Sequence, residues 1–231
     1  MLGVDLSHWN KVDWKKLSKH TSFAIIKATQ GISFVDPEFK NNQRLARKYQ
    51  VPLGYYHFAS GYASPKQEAE HFIKTIGDLE IGELLTLDWE IQHHNPVQWC
   101  LQFLEEVEKM TNVKPLIYLN VATLKRYDWS PVAKNDNGLW IAYYGWNFGM
   151  PKRKPPSYAW DFWAIWQYTS RGFIPGVKGF VDKNYTSMDI ETLKKYGYQS
   201  TPGCVRARKK VTKYTKKLSK WQKIMKKECK I

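Results

Sequence analysis

The chain reads as an α/β protein: eight strands closed into a TIM-like barrel, about five helices around it, and a basic amphipathic helix at the C-terminus. Three observations predict this. Eight short apolar runs recur along the chain, each bounded by turn residues. Helical patterns separate the early runs, as parallel pairing requires. The runs are almost continuously apolar, which suits strands covered on both faces. A doubly wound open sheet is the alternative, but no glycine-rich phosphate loop follows any run, so the barrel is favoured.

The runs are LGVDL (2–6), FAIIKA (23–28), VPLGYYHF (51–58), LLTLDWE (84–90), PLIYLN (115–120), LWIAYY (139–144), FWAIWQY (162–168) and GFVDKN (179–184). Residues 12–20 form a short helical pattern with Asp13 near its start. At 37–49, Pro37 takes a first helical position after Asp36, where its missing N–H is no loss. At 64–76, Ser64 caps, Pro65 follows, and Glu68 sits near the positive end of the helix dipole. Asn95 and Pro96 repeat that opening at 95–110, and Val97, Leu101, Leu104 and Val107 share one face. After a brief helical stretch at 121–127 the last three runs follow with only Gly-, Pro- and Lys-rich loops between them.

The stretch YQSTPG (198–203) marks a boundary, giving a barrel domain at 1–200 and a tail at 201–231. In the tail Val211, Tyr214, Leu218, Trp221 and Met225 recur at spacings of 3, 4, 3 and 4, with Lys at most other positions, a narrow apolar stripe on a cationic helix. Residues 203–231 carry 12 Lys or Arg against one acid, Glu228. That is +11 of the chain's +15, and it leaves +4 for the other 202 residues.

Composition narrows the function classes. Hydrophobic residues at 43% supply a sizeable core, and 11 Trp with 14 Tyr suit either a dense core or a groove whose flat rings stack on sugars. Three cysteines (Cys100, Cys204, Cys229) without a CxxC argue against a disulfide scaffold. His93 and His94 are adjacent and the other histidines scattered, so neither metal nor cofactor is expected. The opening MLGVDLSHWN has no basic region followed by a long apolar run, and no later segment reaches membrane-spanning length.

The acids show the clearest pattern. Asp5 ends the first run, Asp88 and Glu90 end the fourth, and Asp182 ends the eighth. Barrel enzymes carry their chemistry at the C-terminal strand ends. Strands one and eight are neighbours in a closed barrel, so Asp5 and Asp182 should meet. Positions 88 and 90 share a face by the period of two, with Trp89 turned away. A solvated strand end explains any single Asp; four acids at one opening point to function. Crowding and partial burial raise a carboxyl's pKa and keep it protonated, ready to act as an acid. Glycoside cleavage needs such an acid plus a negative group beside an oxocarbenium-like transition state.

In order along residues 2–190, GVDLSHWN, FAIIKATQG with FVDPEF, GYYHFA, LDWE, IYLN, LWIAYYG, WQYTS and GFVDKN resemble the glycoside hydrolase family 25 lysozymes of bacteria and phages. The resemblance implies a flattened barrel that cleaves the β-1,4 bond from N-acetylmuramic acid to N-acetylglucosamine in peptidoglycan. Glu90 would be the proton donor. Asp88 would steer the substrate's acetamido group or stabilise the intermediate, and Asp5 and Asp182 would complete the acidic ring. Two acids on one strand face can hardly straddle a sugar, which disfavours inversion and leaves acetamido-assisted retention ahead of a nucleophilic aspartate. The chain departs from the family's pattern at Gln30, often Glu, and at Lys183, which would add a cation beside Asp182.

Tyr56, Tyr118, the Trp140/Tyr143 pair and Gln167 are candidates for contacting the sugar. Core packing is the competing reading for each aromatic and is stronger for Trp140, mid-run, while His57 reads as a hydrogen-bonded core histidine rather than a catalyst. The tail is expected to hold the enzyme to an anionic envelope (phospholipid, lipopolysaccharide or wall polymer), its apolar stripe dipping into lipid. Nucleic-acid binding fits the charge but leaves the barrel unexplained, so no specific nucleic acid is expected, and a monomer is the default. Without a signal peptide, synthesis in a host cytoplasm and action on the wall from the periplasm or exterior would make this a phage endolysin. The alternatives are a secreted wall-remodelling muramidase, a non-catalytic glycan-binding barrel, and a chitinase-type barrel.

Overall fold

The computed structural model describes residues 1–147 and 149–200. The amphipathic tail helix and its stripe lie outside the described residues. Met1–Tyr198 form one compact unit.

The strands are β1 (Leu2–Leu6), β2 (Lys11–Val12), β3 (Phe23–Gln30), β4 (Phe34–Val35), β5 (Leu53–Phe58), β6 (Leu84–Asp88), β7 (Leu116–Asn120), β8 (Leu139–Ala142), β9 (Ile165–Gly172), β10 (Val177–Lys178) and β11 (Val181–Tyr185). Eight of them close a barrel in the order β1-β3-β5-β6-β7-β8-β9-β11, with β11 returning to β1. Seven run parallel, as the buried apolar runs predict. The eighth, β11, is antiparallel to both β9 and β1. The reason is the connection: only residues 173–180 separate β9 from β11, too few for the helical crossover that parallel pairing needs. Asp182 therefore stands near the start of its strand, not at its end, and it is the reversal that brings it to the barrel's C-terminal mouth.

The helices are α1 (Trp14–Leu17), α2 (Phe39–Lys48), α3 (Pro65–Ile76), α4 (Pro96–Thr111), α5 (Val121–Arg126), α6 (Ser130–Lys134) and α7 (Ile190–Lys195). The last two were not anticipated. The Ser64 cap is present, its hydroxyl accepting from Gln67 N while the Gln67 side chain reaches back to Ser64. Glu68 differs from the dipole role expected of it: it is fully buried and holds His57 Nε2 at 2.8 Å, while Thr29 holds His57 Nδ1 at 2.8 Å. His57 is thus a satisfied core residue on the outer face of β5. The α2 helix starts later than expected, at Phe39. Asp36 is diverted to accept from His8 N (3.0 Å), His8 Nδ1 (2.7 Å) and Glu38 N (3.0 Å), tying the loop after β1 to the loop before α2.

Alternation sorts the core into two layers. Ala24, Ile26, Leu85, Leu87, Leu119 and Ile141 face outward, against Phe39, Phe72 and Phe103 of the helices. Phe23, Ile25, Leu84, Leu116, Tyr118 and Trp140 face inward and fill the barrel. Gly3 has to be glycine, because a Cβ there would lie 2.4 Å from the Phe23 ring that plugs the barrel's lower end. Gly3→Ala should cost about 1–3 kcal/mol by overpacking. The thermal unfolding midpoint of this variant should fall by about 2–12 °C for a domain of this size, and an unchanged midpoint would contradict the packing argument.

Candidate active site

The inward phase of each strand delivers a set of side chains to the mouth. Asp5 comes from β1, Lys27 from β3, Tyr56 and Phe58 from β5, Asp88 and then Glu90 from β6 and its exit, Tyr118 from β7, Trp140 from β8, Gln167 from β9 and Asp182 from β11. With Ser7, Trp9 and Tyr144 they line a cleft of about 230 Å³. All four acids picked out in the sequence open into this one cleft. Asp5 and Asp182 are direct partners in the β1–β11 ladder.

The acids differ in depth. Asp5 and Asp88 are each only 7% exposed, whereas Glu90, past the end of β6, stands at the open rim. Asp5 Oδ2 accepts from Gln167 Nε2 and Asn184 Nδ2, each at 2.8 Å. Gln167 accepts from the Tyr118 hydroxyl at 2.9 Å and from the Tyr144 hydroxyl. Gln167 is therefore committed within the protein rather than offered to a sugar. Asp88 contrasts with it, since its buried Oδ1 has no hydrogen-bond partner among the described residues.

Burial, then the negative charge of Asp182, pushes Asp5 well above the usual carboxylate range. Burial, then Glu90 and Asp5, does the same to Asp88. Asp182 is pushed up to about 6, by burial and then by Glu90. Glu90 is raised by loss of solvent and drawn back by the Lys27 ammonium. Below the ring lies an aromatic floor: Tyr118 and Trp140 meet edge-on at 4.9 Å, and Trp140 anchors its indole N–H on Asn184 Oδ1 at 2.8 Å. An apolar floor of this kind keeps the local dielectric low, which disfavours the ionised form of the acids above it.

Lys27 escaped the sequence reading. It is half-buried, donates to Gln30 Oε1 at 2.9 Å, and sits 4.8 Å from the Phe58 ring centre. Gln30 thus keeps a role as a neutral acceptor. A lysine inside a buried strand run was the available signal, because such a charge needs a partner. Tyr143 is corrected. It lies three residues from Trp140, so the pleat turns it outward onto the outer core, and its neighbour Tyr144 takes the place at the mouth. Lys183 likewise lies across Gly172 and not beside the Asp182 carboxylate, being one residue out of phase.

Carboxyls pushed above their usual range over an aromatic floor, at the C-terminal mouth of a barrel, suit an acid-assisted hydrolase of glycosidic bonds. The chain belongs to the glycosyl hydrolases family 25, whose family model matches residues 4–177, and it is a glycoside hydrolase of the lysozyme type. It is 31% identical over 221 residues to the uncharacterised protein YegX of Escherichia coli K12, covering 87% of this chain and 75% of that one. It is 28% identical over 204 residues to lysozyme M1 of Streptomyces globisporus, covering 79% and 66%. The fold superimposes on the crystal structure of the bacterial lysozyme from Streptomyces coelicolor with a TM-score of 0.74, at 25% identity, over 85% of this chain and 96% of that one.

Lys27 supplies a test of the electrostatics. Its charge favours ionised Glu90, so Lys27→Met should raise the Glu90 pKa further. A general acid works in its protonated form, and activity is lost as pH rises through its pKa. The alkaline limb of the pH–rate profile should therefore move upward by about half a unit to one unit. A limb that stays in place or moves to lower pH would exclude Lys27 from setting the acid.

Proposed function

We propose that the enzyme is an N-acetylmuramidase that cleaves the β-1,4 bond between N-acetylmuramic acid and N-acetylglucosamine in peptidoglycan. The observation that carries this reading is the convergence of Asp5, Asp88, Glu90 and Asp182 on one mouth, with three of them raised by burial and crowding.

Glu90, at the rim, gives its proton to the glycosidic oxygen as the C–O bond breaks. The buried Asp88 accepts from the substrate's acetamido N–H through its free Oδ1, which turns the acetamido oxygen toward the anomeric carbon. That oxygen closes on the anomeric carbon from the face opposite the leaving oxygen, giving a cyclic intermediate of inverted configuration. Water later enters from the vacated face, so the two inversions restore the original configuration. Glu90, now a carboxylate, then takes a proton from the water that opens the ring. This route is compatible with an Asp88 pushed above the usual carboxylate range by burial, because a carboxyl oxygen can accept from the acetamido N–H in either protonation state. Asp182, pushed up only to about 6, adds negative potential as cationic character develops, and Asp5 stands opposite it in the β1–β11 ladder. Tyr56, Tyr118 and Trp140 support the sugar's apolar face, and Trp9, 83% exposed at the cleft, offers a further stacking surface.

Glu90→Gln should lower turnover on isolated peptidoglycan by about 10²- to 10⁴-fold, with muramic acid at the new reducing ends made by the parent. Equal effects of parent and variant would favour a glycan-binding barrel. Glucosaminyl ends, or cleavage of chitin, would assign a different bond.

The finer reading is that the enzyme serves a phage as its lysis protein, made in the host cytoplasm and acting on the wall, with residues 203–231 holding it to anionic envelope. What supports it is the union of a wall-cleaving barrel with a segment of 12 basic residues and one acid, striped at helical spacing. Truncation after Gly203 should weaken binding to anionic vesicles and to whole cells, more at low salt than at moderate salt. Unchanged binding at both would remove the anchoring role.

A further inference from the structure

Glu90 belongs to two cavities. One is the acidic mouth. The other, of about 390 Å³, lies between residues 90–92 and α5, and is lined by Gln92, Asn120, Thr123, Lys125 and Arg126 among others. The two differ in charge. The mouth gathers Asp5, Asp88 and Asp182 around a single Lys27, whereas the second cavity has two cations facing the one shared acid.

The local fold presents those cations. Asn120 ends β7 and caps α5, its Oδ1 accepting from Thr123 N at 2.9 Å, and the buried Leu124 pins the helix to the core. Lys125 and Arg126 are left exposed, and among the described residues neither makes an ion pair or side-chain hydrogen bond. The nearest acid in the chain, Asp128, uses Oδ1 to accept from Ser130 N at 2.9 Å.

We infer that this cavity is a binding subsite for a carboxylate-bearing, peptide-substituted sugar on the leaving side of the scissile bond, with Lys125 and Arg126 as its recognition residues. The inference rests on the muramidase reading. Positive charge develops at the anomeric carbon, so that sugar occupies the acidic mouth. The general acid protonates the leaving oxygen, so the departing strand runs past Glu90 into the basic cavity. When a muramyl bond is cut, the first leaving sugar is a neutral N-acetylglucosamine and the second is a muramic acid. The lactyl group of that muramic acid carries the stem peptide, whose acidic residues end in carboxylates. Two exposed cations one residue apart can meet such an anion without losing an existing partner. Asn120 and Thr123 supply polar groups along the path.

The test compares parent enzyme with Lys125→Ala/Arg126→Ala and with Lys125→Glu/Arg126→Glu on three soluble glycans. One keeps its stem peptides. One has been stripped by an amidase, which leaves a lactyl carboxylate. One is stripped and has that carboxylate capped as a methylamide, so it is neutral. Initial rates give kcat and KM, and calorimetry gives binding. The alanine pair should raise KM for peptide-bearing strands by about five- to tenfold, with the larger share of the loss in KM, and reversal should raise it more. The preference of the parent for peptide-bearing over neutral strands should fall by a similar factor. An equal loss on all three glycans marks a structural role and overturns the subsite. A loss on both charged glycans alike moves recognition to the lactyl carboxylate and overturns the peptide assignment. If the parent releases no reducing ends, the muramidase reading fails by itself, and calorimetry with the same glycans still decides whether the cavity prefers the charged strand.

Discussion

The pairing of β11 with β1 sets Asp5 directly opposite Asp182, and the rest of the mouth depends on it. Without this antiparallel strand the barrel would lack its closing ladder, and Asp5 would lose both its like-charged neighbour and the Asn184 amide that holds it. The two effects oppose each other. Repulsion and burial favour the neutral acid, while two amide N–H donors favour the ion. The first pair wins, because desolvation of a carboxyl at this depth outweighs two neutral donors. Backbone register sets the like-charged neighbour, and the Asn184 and Gln167 side chains set the opposing donors.

Charge compensation follows the same geometry. Lys27 is the cation among the cleft-lining residues at the mouth, and its charge, held over the Phe58 ring, acts through space on Glu90 and Asp88. Its own pKa is lowered by burial even as Asp88, Asp36 and Glu90 support its charge. A full complement of cations would ionise all the acids and remove the proton that glycoside cleavage requires. A single lysine keeps the cluster short of neutrality. Gln30 fits this arrangement, since a carboxylate there would draw the lysine away from the acids.

Legibility in the sequence followed the period of the strands. Asp5, Asp88 and Glu90 could be read because each ends an apolar run, where parity and barrel closure leave few arrangements. The eight barrel strands were legible for the same reason. The direction of β11 was not, because a run of apolar residues looks alike in either direction and only the short 173–180 connection distinguishes them. Trp140 and Tyr143 stand an odd three residues apart, which puts them on opposite faces although both are aromatic, whereas Tyr144 is in phase with Trp140 and shares the mouth with it. Lys27 was hidden by reading FAIIKA as plain strand. Its partner acids lie far along the chain, and contacts of that separation leave no local pattern. The exposed positions of α5 were equally silent, since their interest comes from a cavity wall shared with Glu90.

Gln167 has a consequence for how the mouth behaves across the enzyme's working range. Its N–H group holds Asp5 while its carbonyl receives the hydroxyls of Tyr118 and Tyr144. The amide cannot turn over without breaking three contacts, and it carries no titratable proton. The two phenols stay neutral as well, since burial raises both. The scaffold beneath the acids is thus blind to pH. Protons that come and go on the carboxyls therefore change the charge of the mouth without changing that of the amide and phenols that space them.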